Sequence, residues 1–239
     1  DVKPVIAYLE TTLAVPVKSF VSTNYAGIVE ALTNETADVG FMGPLQFVIA
    51  HKQSGARAIL GELYNGQSTY HSKIFVRKDS GIKSVEDLKG KTVAFTDPIS
   101  SSGYLYPLSV FKEKGLVKQR PEDFFKRVYF AGGDEQAIRA VYNKFVDAAG
   151  IGEFSFNLLR AEERDKVTAI ATSRPIPSHC VVVRKGLSES MTAKVQDAML
   201  ALNEDGPNHA LLQNLYSVDG YVKVSYDDYK DLHTRLTVK

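Results

Sequence analysis

The sequence predicts an α/β fold in two lobes, each a mostly parallel sheet flanked by helices, with two crossover strands as the hinge between them. Three observations lead there. Short apolar runs with strand character alternate with segments of helical spacing along nearly the whole chain, which is the pattern of βα units and parallel sheets. Two similar segments, Lys73-Ile74-Phe75-Val76-Arg77-Lys78 and Cys180-Val181-Val182-Val183-Arg184-Lys185, bracket the middle third, each an apolar strand closed by a basic pair. They read as strands that carry the chain out of one lobe and back. With 239 residues, 44% of them hydrophobic, the chain can fill one large core or two small ones. The expected division is residues 1–73 with 181–239 as lobe one and 74–180 as lobe two, with the ligand between them at the carboxyl ends of the strands.

The first lobe opens on helical spacing from Val5 to Leu13, then a short strand is expected over Val17 to Val21. Tyr25, Ile28, Val29 and Leu32 fall on one face of a second helix that Asn24 is suited to cap. Ala37 to Met42 is a strand ended by Gly43-Pro44, Leu45 to Lys52 a helix, and Ala56 to Leu63 a further strand before the polar loop Tyr64 to Thr69. The second lobe starts with Lys73 to Arg77, followed by a short helix at Val85 to Leu88 and the buried strand Thr92 to Phe95. Tyr104 to Lys114 is a helix stopped by Gly115. Arg127 to Phe130 is a strand, and Glu135 to Lys144 a helix with Ala137, Ile138, Val141 and Phe145 on its apolar face. Asp147 to Ile151 is a strand, Phe154 to Glu163 a helix, and Val167 to Thr172 a strand. The turn-rich run Ser173 to Ser178 leads to Cys180–Arg184, then to helices over Glu189 to Asn203 and Pro207 to Leu215. No repeat of fixed period is visible.

Composition narrows the function. A net charge of +1 without a Lys/Arg run argues against nucleic acid or a membrane surface as partner, so a charged ligand must be recognised locally. Cys180 is the single cysteine, which rules out a disulfide framework and a cysteine-based zinc site. No window reaches the ~18 apolar residues of a spanning helix. The sequence contains no signal peptide, but it opens at Asp1 almost directly into a helix, as expected if an upstream export signal has been removed. Catalysis is disfavoured: the metal-holding carboxylate cluster, P-loop lysine, activated nucleophile or Gly-x-Ser-x-Gly elbow that a phosphoryl-transfer or hydrolytic site needs is missing. No cofactor or metal is expected.

One stretch carries chemistry. In Thr92 to Tyr104 a buried strand ends at Asp97-Pro98, and Ser100-Ser101-Ser102-Gly103 stands where a helix begins. Unpaired N–H groups and a partial positive charge of about half a unit make such a terminus an anion site, to which the hydroxyls add donors. The plainer reading, that serines are good caps and turn residues, accounts for one of the three better than for the row.

Asn24-Tyr25-Ala26-Gly27, Ala37-Asp38-Val39-Gly40-Phe41-Met42-Gly43-Pro44, Asp97 through Gly103, Val146-Asp147-Ala148-Ala149 and Ile176-Pro177-Ser178-His179 resemble, in order and spacing, the phosphonate/phosphite/phosphate-binding proteins of ABC importers. The likeness covers nearly the whole chain and implies a two-lobed type II periplasmic binding fold that closes on a tetrahedral phosphorus oxyanion. A full-length member would begin with one more strand. The resemblance places Tyr25 and Tyr70 at the ligand, together with Ser100, Ser101, Ser102 and Gly103, a set of neutral donors able to saturate phosphoryl oxygens. Two positions depart from the family pattern: many members have histidine at the site of Asp134 and aspartate at that of His179, so acceptor and donor look exchanged. Asp134 either faces the ligand or caps the helix at Glu135, and His179 either donates to the ligand or is a half-buried strand residue. Glu153 lies near the glutamate with which aminoalkylphosphonate binders hold the amine, although a surface glutamate before a helix accounts for it as well. Cys180 reads as a small buried hydrophobe. The implied protein is a monomeric periplasmic, or membrane-anchored lipoprotein, component that captures a small oxyanion and delivers it to an ABC permease. A ligand-sensing module of a signalling system with the same fold is the alternative.

Overall fold

The computed structural model describes residues 2–215 and 217–232, which form two compact units, one of the described residues in 2–69 and 177–232 and the other of 70–176. The chain therefore changes unit at 69/70 and 176/177, four residues ahead of each boundary expected from sequence. The reason is strand pairing. The bracketing segments lie wholly inside their units, and the crossings are made by two short strands just before them.

In the first unit, α1 (Lys3–Leu13) is followed by α2 (Tyr25–Thr33), whose Asn24 cap accepts from Gly27 N–H at 2.9 Å. Then come β1 (Val39–Met42), α3 (Pro44–Ser54) and β2 (Arg57–Leu63). Proline at the start of α3 sets φ for the first turn, and Gly55 ends the helix at φ 73°, a left-handed conformation that glycine adopts without strain. The chain leaves through β3 (Thr69–Tyr70).

The second unit holds β4 (Ser72–Arg77), β5 (Thr92–Phe95), α4 (Tyr106–Glu113), β6 (Arg127–Phe130), α5 (Asp134–Tyr142), β7 (Ala148–Gly152), α6 (Ala161–Arg164) and β8 (Val167–Thr172). Its five-stranded sheet has the order β6-β5-β7-β4-β8. β5 runs parallel to β6 and β7, and β4 alone is reversed, pairing antiparallel with β7 and β8. Both faces are covered. Ile74, Val76, Val93, Phe95 and Phe111 fill one layer, and Phe75, Ala94, Ile138, Val141, Ala149 and Ile151 the other. The continuous apolar runs of these strands are what a doubly covered sheet demands.

The chain returns through β9 (Ile176–Pro177), which pairs with β3, to β10 (Cys180–Val183), α7 (Glu189–Leu200) and β11 (Gly220–Lys223). The first unit's four-stranded sheet has the order β1-β10-β2-β11, and each recorded neighbour pair is antiparallel. This differs from the expected mostly parallel sheet because the returning β10, buried at all four residues, inserts between β1 and β2.

Other expectations give way too. Val17–Val21 is irregular, not a strand; Phe20 and Val21 are exposed, and no strand among the described residues pairs with the stretch. The helix expected over Phe154–Glu163 is a 3-10 segment, Glu153–Leu158, followed by the one-turn α6, because Leu159 and Arg160 are extended and Glu163 caps the Arg160 N–H at 2.8 Å. Pro207–Leu215 forms a 3-10 segment, His209–Asn214. β3, β9 and β11 were not legible as strands.

Candidate functional site

The carboxyl ends of β5, β6 and β7 converge in the second unit, and the serine row is there. Thr96 follows β5, Gly133-Asp134 opens α5 after β6, and Glu153–Ser155 follows β7. Residues 101–105 form a π-helical turn that runs into α4, so the helix starts at the row itself and not at Tyr104. Ser100 caps this turn, its hydroxyl accepting from Gly103 N–H at 3.0 Å. Ser101 and Ser102 are buried, the latter 6% exposed. Ser72 shares its hydroxyl proton between the carbonyls of Ser102, at 2.6 Å, and Ile151, at 3.1 Å, which ties the row to β4 and β7. The Ser102 hydroxyl itself has no hydrogen-bond partner among the described residues.

Gly103 admits no side chain. A Cβ there would stand 2.0 Å from Thr96 Oγ1 and 2.3 Å from Thr96 Cβ, and Thr96 N–H donates to the Gly103 carbonyl at 2.9 Å. Backbone of the row and end of β5 are thus in direct contact.

Asp134 joins this cluster. It is the first residue of α5 but does not cap it; its Oδ1 accepts from the Thr96 hydroxyl, and its Oδ2 accepts from the Ser155 hydroxyl at 2.5 Å and from Gly152 N–H at 3.3 Å. A Cβ on Gly152 would lie 3.2 Å from Ser102 Oγ and 3.4 Å from Asp134 Oδ2, so both oxygens line the same face of that glycine. Thr96 and Ser155 were missed at the sequence level, since a lone hydroxyl after a strand carries no signal of its own.

Glu153 is engaged elsewhere. Oε1 accepts from His71 N–H at 2.8 Å and Oε2 pairs with Lys73 at 3.1 Å. It is a bracing residue at the start of β4, not a free acceptor. An open groove on this unit, edged by Lys73, Lys78 and Arg164 and floored by the stacked rings of Phe75 and Phe156, shares no residue with the serine row. Tyr70, ending β3, is 3% exposed.

The first unit brings its own candidates together. Tyr25 opens α2, half-buried, and its carbonyl accepts from Gln46 Nε2 at 2.7 Å. Gln46 Oε1 in turn accepts from Gly43 N–H at 2.9 Å at the start of α3. His179 stands on the other side of Gly43, its Cδ2 3.7 Å from where a Cβ would be. Its side chain is 43% exposed, with Nδ1 3.6 Å from the buried Glu62 carboxylate, which also accepts the Tyr64 hydroxyl at 2.5 Å. Gln46 and Glu62 went unrecognised in the sequence; the Gly-Pro-x-Gln spacing of a helix start was the available sign for the first. Next to His179, Cys180 is fully buried, and burial, with Glu62 nearby, pushes its thiol well above the ordinary range. It is inert packing, as its apolar strand implied.

Among the described residues no group of three or more His, Cys, Asp or Glu could hold a metal ion, and no helix is long and apolar enough to cross a membrane.

The sequence matches, over residues 1–229, the family described as ABC transporter, phosphonate, periplasmic substrate-binding protein. It is 29% identical over 221 residues to the phosphonates-binding periplasmic protein of Escherichia coli, covering 89% of this chain and 64% of that one. It is 33% identical over 152 residues to the phosphate-import protein of Mycolicibacterium smegmatis, covering 61% and 47%. The chain thus spans about half to two thirds of the length of these relatives. A crystal structure of a binding-protein component of an ABC phosphonate transporter from Pseudomonas aeruginosa superposes with a TM-score of 0.88 at 24% identity, covering 98% of this chain and 79% of that one, and places the fold among type II periplasmic binding proteins.

Proposed function

The chain belongs to the periplasmic phosphonate substrate-binding proteins of ABC transporters, a family of binding proteins and not of enzymes, and from that premise we propose that it captures a small tetrahedral phosphorus oxyanion and presents it to a membrane permease. The observation that carries this reading is the unpartnered hydroxyl of the buried Ser102 at the start of a helix. A helix start is where backbone donors and a partial positive charge already favour an anion, and the Ser102 hydroxyl adds a further donor there that no group among the described residues occupies. Phosphate, phosphite, methylphosphonate and aminoethylphosphonate are the candidates. The two named relatives fall on both sides of that choice, one by its phosphate import and the other by its phosphonate binding. Lys73 already pairs with the Glu153 carboxylate, so a ligand amine at that position would have to compete with a cation for it.

In this mechanism the oxyanion meets Ser100, Ser101, Ser102 and the Gly103 turn first. Tyr70 of the same unit and, on closure, Tyr25 and His179 of the first unit complete the donor set and exclude water, so that each hydrogen bond to the charged ligand is worth about 1.5–3 kcal/mol. The closed form is what the permease recognises. The protein acts as a monomer on the periplasmic side, free or lipid-anchored, without cofactor or nucleic acid.

Calorimetry with the four oxyanions tests the reading. At least one should bind, and Ser101→Ala and Ser102→Ala should each weaken it by about tenfold or more while the protein stays folded. Unchanged affinity in both variants rejects the serine row; no binding by the wild type rejects the function.

A further inference from the structure

Asp134 puts a carboxylate into the serine-row cluster, and among the described residues no cation answers it. Its partners among the described residues are three neutral donors, the hydroxyls of Thr96 and Ser155 and the N–H of Gly152. A carboxylate offers about four acceptor sites. Two donors occupy Oδ2 and one occupies Oδ1, which leaves a single site, on the oxygen that Thr96 holds. Thr96 packs directly on Gly103, and Oδ2 shares the face of Gly152 with the unpartnered Ser102 hydroxyl. Both carboxylate oxygens therefore border the row. An anion lying against Ser102 has a negative charge beside it and one vacant acceptor.

We propose that Asp134 is a specificity-determining residue that makes the serine row select tetrahedral anions still carrying a proton: the ligand's P–OH donates to Asp134 Oδ1 while its ionised oxygens accept from the serines. This rests on the oxyanion reading and adds the protonation state of the ligand to it. A proton between two oxygens turns a repulsive contact into a charge-assisted hydrogen bond, whereas an anion without one leaves two bare oxygens opposed. A site built to receive a hydroxyl rejects the analogue that lacks it far more strongly than a site built on shape alone.

The test uses two monoanions of like shape, methylphosphonate and methanesulfonate, at about pH 5.5, below the second ionisation that phosphate groups undergo near 6. Both then carry one negative charge, so the contributions of His179 and of the helix start cancel, and only the phosphonate has a hydroxyl. Calorimetry on the wild type should give methylphosphonate at least ~30-fold the affinity of methanesulfonate, and Asp134→Asn should reduce that ratio by about tenfold or more, mainly through a gain for the sulfonate. Equal binding of the two by the wild type overturns the proposal without any variant, and so does an unchanged ratio in a folded Asp134→Asn protein. Binding of both leaves the oxyanion reading standing. If neither methylphosphonate, phosphite nor phosphate binds the wild type, that reading falls and this one with it.

Discussion

Gly103 is where a single atom decides the site. Any side chain there collides with Thr96, and the colliding atoms are the β-carbon and hydroxyl of a stiff, β-branched residue, not the far end of a flexible one. Gly103→Ala should therefore cost about 1–3 kcal/mol by overpacking and should also displace the serine row from Thr96. Urea unfolding together with oxyanion calorimetry checks this; a variant of wild-type stability and affinity would mean that the row tolerates a shift. The serines and Gly103 were legible because residue type and position coincide in sequence. Asp134 was legible only as a candidate. That its carboxylate is taken by Thr96, Ser155 and Gly152, residues up to 38 positions away, depends on three strand ends meeting in space.

Among elements, the turn that begins α4 divides labour within the row. Ser100 accepts the Gly103 N–H with its hydroxyl oxygen and keeps its proton for the ligand, so Ser100→Ala should lower the stability of the second unit by about 0.5–2 kcal/mol, the ordinary loss of a cap, besides costing affinity. Ser102→Ala should leave stability alone and cost affinity, and Ser101→Ala should cost affinity. Thermal melts of the three variants side by side distinguish the two roles, and an equal loss in all three would contradict the division. Elements with strong period or capping signals were read well: α2 with its Asn24 cap, α5 with Ala137, Ile138 and Val141 inward, and the doubly buried β5. The weak ones failed for a common reason. Val17–Val21 has the composition of a strand but no strand partner among the described residues, whereas Gly220–Lys223, four residues of which Gly and Lys disfavour strands, pairs with β2 regardless. Strand formation depends on a neighbour, which local composition does not encode.

At the scale of the whole molecule, the second unit is one continuous stretch with a sheet covered on both faces by its own residues. The isolated segment 70–176 should accordingly fold alone and unfold cooperatively, while the first unit, assembled from two separated stretches, needs both. Circular dichroism and urea titration of the segment check this, and a non-cooperative or absent transition would show that the second unit borrows stability from the first. Ligand binding should raise the melting temperature of the full chain, by ~2.7 kcal/mol of added stability at a hundredfold excess over the dissociation constant.

The sequence by itself determined the α/β class, the order of most elements, the family and the row of hydroxyls, because periodicity, caps and short motifs are local properties of the chain. Only the tertiary structure decided that β10 threads between β1 and β2, that the units meet the chain at 69/70 and 176/177, and that Asp134 and Glu62 sit against the candidate residues. Those outcomes come from pairing and burial between residues far apart in the chain, where the energy belongs to the contact and not to either residue alone.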